Sequence, residues 1–187
     1  QEYAKRATLV SIVKGKVILD GTDTANRRKI DGGTSKTGIN NIAIYAGATG
    51  TPASTQSEIE SYIPITITNS DLSTAIFGEK RGEITNNGNI TAQSGSGAIG
   101  IFLNNNSTGG RGDTKLDISG GNIDVQNSVN GVGVYISGGT LTSTSLTTIS
   151  VGTNGIGLYA KNSDINLSDI TLNLNCDNAR GRYYDEV

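Results

Sequence analysis

The chain has 187 residues, a formal net charge of −2 at pH 7, 34% hydrophobic and 17% charged residues, 26 Gly and no His, Trp or Met. The low charge is unlike ordinary disorder, and the lack of His removes Ser-His-Asp catalysis, Cys-His nucleophiles and His-ligated metals. A single Cys excludes an internal disulfide and a thiolate metal cluster, the balanced charge argues against a nucleic-acid partner, and no apolar run is long enough to span a bilayer. No metal or cofactor is expected, and the missing Met predicts a processed or excised piece.

Taken in chain order, Gln1 to Arg6 reads as a polar tether or cap, Leu9 to Leu19 as a possible first coil, and N-R-R-K from Asn26 to Lys29 as a short basic loop. A repeat then begins. N-I-A-I-Y-A ends at Ala46, S-T-A-I-F-G at Gly78, G-A-I-G-I-F-L at Leu103, N-G-V-G-V-Y-I at Ile136 and N-G-I-G-L-Y-A at Ala160. The aromatics Tyr45, Phe77, Phe102, Tyr135 and Tyr159 are spaced by 32, 25, 33 and 24 residues. That is a period of about 24, with two spacings enlarged by insertions of about eight. After each anchor come alternating runs broken by Gly, Asn or Ser, such as K-L-D-I-S-G-G-N-I-D-V and S-D-I-N-L-S-D-I-T-L-N-L. Alternation is the period of half-buried strands, and three short strands per 24 residues describe one coil of a parallel β-helix.

The predicted fold is therefore all-β: a right-handed parallel β-helix solenoid of five to six coils with two lateral insertions. Residues 1–38 are a cap or partial first coil. Residues 39–175 are the repeats, with insertions near 47–62 and 104–113, and 176–187 are a tail or the start of a further coil. Parity puts Ile99, Ile101 and Leu103, Val132, Val134 and Ile136, and Ile156, Leu158 and Ala160 on the inner face. The aromatics then lie outside over Gly and Ala, unless a bulge beside the Gly reverses this. Asn87, Asn130 and Asn154, each before a Gly, fit left-handed turn positions.

Three candidate sites follow. Asn104 to Asp113 contains Arg111, Gly112 and Asp113. On an exposed loop such a tripeptide bridges an integrin: the Arg enters an acidic pocket, the Asp ligates a metal held by the integrin, and the Gly permits the tight turn. Gly47 to Tyr62 is a polar loop with Glu58, Glu60 and the aromatic Tyr62, and its S-x-I-E reads as a short helical turn facing a sugar or protein. The aromatic column is the third. Exposed, it would stack on sugars or anchor an interface; packed, its rings cover one another. The carboxylates are scattered, with Asp117 and Asp124 in one coil and Asp164 and Asp169 in a later one, and no Lys or Arg stands at a matching column position.

The phrases N-G-I-G-L-Y-A-K-N, N-G-V-G-V-Y-I and N-N-G-N-I-T resemble the passenger repeats of large type V autotransporter adhesins, nearest to the very long fusobacterial outer-membrane autotransporters. The likeness covers roughly Ile39 to Asn175. It implies a right-handed β-helix stalk at the bacterial cell surface, exported through a C-terminal outer-membrane barrel that is not in this chain. It also implies adhesion to a host cell-surface protein or glycan, or to a partner bacterium. The expected function is thus a non-enzymatic passenger segment that displays binding loops. The rival expectations are a purely structural stalk and a β-helix polysaccharide lyase or glycosidase.

Overall fold

A computed structural model describes residues 8–13, 15–20, 30–31, 38–39, 42–47, 57–68, 70–79, 81–93, 95–105, 114–174 and 176–185. Every described element is a strand, and nearly all of them fall into three parallel sheets. The first sheet holds β1 (Thr8–Ile12), β5 (Ile42–Ala46), β9 (Thr74–Glu79), β12 (Ile99–Asn104), β15 (Val132–Ser137), β18 (Ile156–Lys161) and β21 (Arg180–Asp185). The second holds β2 (Gly15–Leu19), β6 (Ser57–Ser61), β10 (Gly82–Asn86), β13 (Lys115–Asp117), β16 (Thr140–Ser143) and β19 (Asp164–Leu167). The third holds β3 (Ile30–Asp31), β7 (Ile65–Thr68), β11 (Ile90–Gln93), β14 (Ile123–Val125), β17 (Thr147–Val151) and β20 (Ile170–Asn173). A minor pair joins β4 (Gly38–Ile39) to β8 (Ser70–Asp71).

The chain visits the sheets in the order first, second, third, and then begins again, so each round adds one strand to each stack. This stacking of parallel strands is consistent with a β-helix. The N-terminal part supplies all three strands of the first rung, β1, β2 and β3. The C-terminal segment opens a seventh through β21, which pairs with β18.

Columns of identical character run through the stack. Ile59, Ile84, Leu116 and Leu141 succeed one another in the second sheet, and Ile65, Ile90, Ile123 and Ile149 in the third, all essentially inaccessible to solvent. Each such side chain contributes about 1.5–3 kcal/mol relative to an exposed one. No single rung closes this core. Each inward side chain is covered by the equivalents above and below, which is why a 24-residue repeat with so few large side chains folds.

The first sheet departs from simple alternation. Its paired positions omit the second residue of each rung, Ala43, Ala75, Gly100, Gly133 and Gly157. Gly133 and Val134 are both buried, while Val132 and Tyr135 are half-buried on the outer side. A Cβ added to Gly100 would strike Ile123, one added to Gly133 would strike Ile149, and one at Gly157 would press on Leu172. The glycine therefore faces inward, with third-sheet side chains filling the space its side chain lacks. The expected inner trio is corrected accordingly: Val134 and Ile136 lie inside, but Val132 does not, and Ile99 and Ile156 follow Val132. The step at the small residue keeps the aromatics outside.

Candidate functional site

The connections from first to second sheet make one edge of the stack. Most take two residues: 13–14 after β1, 80–81 after β9, 138–139 after β15 and 162–163 after β18. Two are ten residues long, 47–56 after β5 and 105–114 after β12. Each therefore carries eight extra residues, the excess seen in the aromatic spacings. The two long connections leave the same edge two strand spacings apart, about 10 Å, and the short connection at Arg81 lies between them.

Their feet are fixed to the stack. The Gly47 amide donates to the Ile12 carbonyl at 3.0 Å, and the Ser57 hydroxyl donates to the Gly47 carbonyl at 2.7 Å, which draws the first neck closed. At the second, the Asn105 amide donates to the Ser137 carbonyl at 2.8 Å and its side-chain Nδ2 to the Gly138 carbonyl at 2.7 Å. Across that neck Thr114 is fully buried and its hydroxyl accepts the Arg81 amide at 3.0 Å. Arg81 takes the left-handed conformation, φ 67°, which turns the short connection tightly between its neighbours. Residues 48–56 and 106–113 lie outside the described residues, and with them Arg111, Gly112 and Asp113.

The first insertion is shorter than its sequence implies. Ser57–Ser61, expected as loop and helical turn, is strand β6, bonded to β2 on one side and β10 on the other. Ser57, Ile59 and Ser61 alternate inward, which the isolated S-x-I-E pattern concealed because two of the three inward residues are serines. Glu58 and Glu60 consequently stand on the outer face of the second sheet. There the Lys16 ammonium meets Glu60 Oε1 at 2.5 Å and Glu58 Oε2 at 3.5 Å. The hydrogen bond to Glu60 raises the Lys16 pKa above its ordinary value, with smaller help from Glu58. Tyr62 follows β6 at the turn toward the third sheet and is 45% exposed, away from the edge that bears the loops.

The aromatic column is continuous and longer than the five expected rings. Tyr45, Phe77, Phe102, Tyr135, Tyr159 and Tyr183 follow in register, with centroids 4.6–5.6 Å apart. Tyr183 was legible as a G-x-Y placed 24 residues beyond Tyr159, but Arg180 and Arg182 replace the aliphatics of the anchor and hide it. Three of the five neighbouring pairs are nearly parallel, within 6–11°. Their faces are thus turned to one another along the column rather than to solvent, which leaves mainly edges for a partner and removes the flat platform a sugar ring needs. At one end the Tyr45 hydroxyl donates to Glu79 Oε1 at 2.5 Å, and Glu79 borders the loop edge. Burial, reinforced by that carboxylate, pushes the Tyr45 pKa up to about 12.

A depression of about 150 Å³ lies where the third sheet turns back to the first, lined by Gln126, Asn127, Val151, Gly152, Asn173 and Cys176. The half-buried Cys176 thiol donates to the Val151 carbonyl at 3.0 Å.

In comparisons with known proteins the chain matches no protein-family profile, no curated protein and no solved structure.

Proposed function

We propose that the chain is a segment of a surface-exported adhesin, a right-handed β-helix passenger of the autotransporter type that holds two binding loops away from the cell. One observation carries this reading. The only two long first-to-second connections among the described rungs leave a single edge about 10 Å apart, with each neck tied by hydrogen bonds to neighbouring rungs. A stack that needed only length would not require eight-residue excesses at neighbouring places. Paired loops on a stiff scaffold are the arrangement by which binding residues are presented. In this reading Arg111, Gly112 and Asp113 are the ligand-binding residues of the second loop and an integrin is the partner. The rigid rungs supply reach, and the loops supply recognition.

Attachment of mammalian cells to the immobilised protein tests it. Wild-type protein is expected to retain cells and Asp113→Glu to lose them, because the longer side chain displaces the carboxylate from the integrin's metal. Attachment equal in the two proteins, or absent from both, overturns the integrin assignment.

A further inference from the structure

The aromatic column changes chemistry along its length. Its middle rings, Phe77 and Phe102, carry no hydroxyl, whereas its last three, Tyr135, Tyr159 and Tyr183, are consecutive phenols. Tyr159 and Tyr183 have centroids 5.0 Å apart and planes 11° apart, and Tyr135 stacks on the other face of Tyr159 at 4.6 Å and 6°. Tyr183 is 40% exposed, and its ring ends the column among the described residues.

We propose that Tyr159 and Tyr183 form an oxidative cross-linking site. A haem peroxidase with hydrogen peroxide removes one electron and the hydroxyl proton from each phenol. The unpaired electron of a tyrosyl radical is shared between oxygen and the two ring carbons beside it. When both rings are oxidised, those carbons join in a Cε–Cε bond. The hydrogen on each joined carbon then shifts to oxygen and restores both aromatic rings. Two phenols and one hydrogen peroxide give one dityrosine and two waters, so electrons and protons balance. The parallel stack supplies the step that is slow in solution, the meeting of two short-lived radicals. Tyr183 supplies the freedom that the biaryl product requires, since it is 40% exposed and, among the described residues, only one of its faces is stacked, so it can swing as the new bond settles into both ring planes. The product ties β21 covalently to β18, across the last strand pairing described in the first sheet.

Exposure alone does not select this pair. Tyr62 and Tyr184 are 45% and 44% exposed, as open to an oxidant as Tyr183. Neither belongs to the stack. Tyr62 lies beyond β6, and Tyr184 pairs in register with the buried Ala160, on the opposite side of β21 from Tyr183.

The test treats dilute whole protein with haem peroxidase and hydrogen peroxide, then follows dityrosine fluorescence of the monomer fraction and the masses of digested peptides. The expected result is one intramolecular product joining the Tyr159 and Tyr183 peptides, two hydrogens lighter than their sum. It should be lost in Tyr183→Phe and in Tyr159→Phe and retained in Tyr62→Phe and Tyr184→Phe. Slower amide exchange in β21 should accompany it. Undiminished monomer dityrosine in Tyr183→Phe, absence of the product, or dityrosine found only between molecules through Tyr62 or Tyr184 overturns the proposal. Phenylalanine keeps the ring, so each variant is expected to fold, and unchanged far-ultraviolet dichroism checks that it has.

Discussion

The edge between the first and second sheets and the edge between the third and first are turned by the same chain in the same rungs, yet from the second rung onward only one carries ten-residue connections. At the loop-bearing edge, connections are two or ten residues long; at the other the first, 32–41, takes ten residues and includes β4, and those from 69–73 to 174–179 stay between four and six. At that second edge successive rungs approach closely. A Cβ on Gly152 would strike the Gln126 carbonyl, and one on Gly155 would lie 3.0 Å from the Gly131 carbonyl. Asn130, Asn154 and Asn178 repeat a left-handed conformation there, φ 56–58°, and the Asn130 amide donates to the Thr153 carbonyl, the Asn154 amide to that of Asp177. From the second rung onward backbone bonds to backbone there, which leaves little room for an added segment. At the loop-bearing edge, hydrogen bonds hold the necks, and residues 48–56 and 106–113 supply the added length. Variation collects where stacking does not need the backbone.

The largest effect should come from adding bulk to the tight edge. Gly152→Val is expected to cost about 3 kcal/mol, at the upper end for overpacking, since it meets a carbonyl rather than a flexible side chain. Shortening the first loop by removing 49–55 should change stability by less than about 1 kcal/mol, because loop-closure entropy varies slowly with length. Urea denaturation midpoints of the two variants check the contrast, and comparable losses in both would break it.

A smaller effect sharpens the account of the tight edge. Asn154→Ala should cost about 1 kcal/mol, the penalty for a Cβ-bearing residue without a local hydrogen bond in the left-handed region, and Asn154→Gly close to nothing. Equal losses by the same measurement would mean that the amide, not the backbone angle, matters there.

The smallest is a pH effect beside the loop edge. Tyr45 has its pKa raised from 10 to about 12 by burial first and by Glu79 second, so folding favours the neutral phenol. Its contribution to stability should be complete below pH 10 and fade as pH rises toward 12. Spectrophotometric titration of tyrosinate should show one late-titrating phenol that disappears in Tyr45→Phe, together with that part of the alkaline loss of stability. Tyr135, raised by burial and then by Tyr159, should also titrate late, but it stays in the variant.

How much could be read in advance differs between these regions. The period of the anchors, the eight-residue excess and the left-handed Asn130 and Asn154 were all legible, because each depends on local chemistry that repeats. Asn87 shared their Asn-Gly signature, yet it does not take a positive φ. It turns from the second sheet to the third, where its amide and that of Gly88 both donate to the Ser61 carbonyl. A dipeptide names a turn but not the edge on which the turn falls.

The candidate site was legible in part. Both insertions were visible as excess length, but their shared edge followed only from the order of the sheets. Ser57–Ser61 reads as loop because serine at two inward positions erases the apolar alternation; only pairing with β2 and β10 makes it a strand. Tyr62 groups with the first loop in sequence for the same reason, but stands at a different turn.

The repeat itself, the all-β character and the aliphatic columns are determined by the sequence alone, because spacing and residue type suffice to specify short alternating strands that need neighbours to bury one face. Which side the glycine of each anchor takes was decided only by the tertiary structure. In isolation, Gly-Val-Gly-Val-Tyr alternates and sends Val132 inward. In the stack, Ile149 fills the space over Gly133, two successive residues turn inward, and Val132 is left outside with the aromatic column. Local alternation is a property of one strand, but the room available to a side chain is set by the rungs and sheets packed against it.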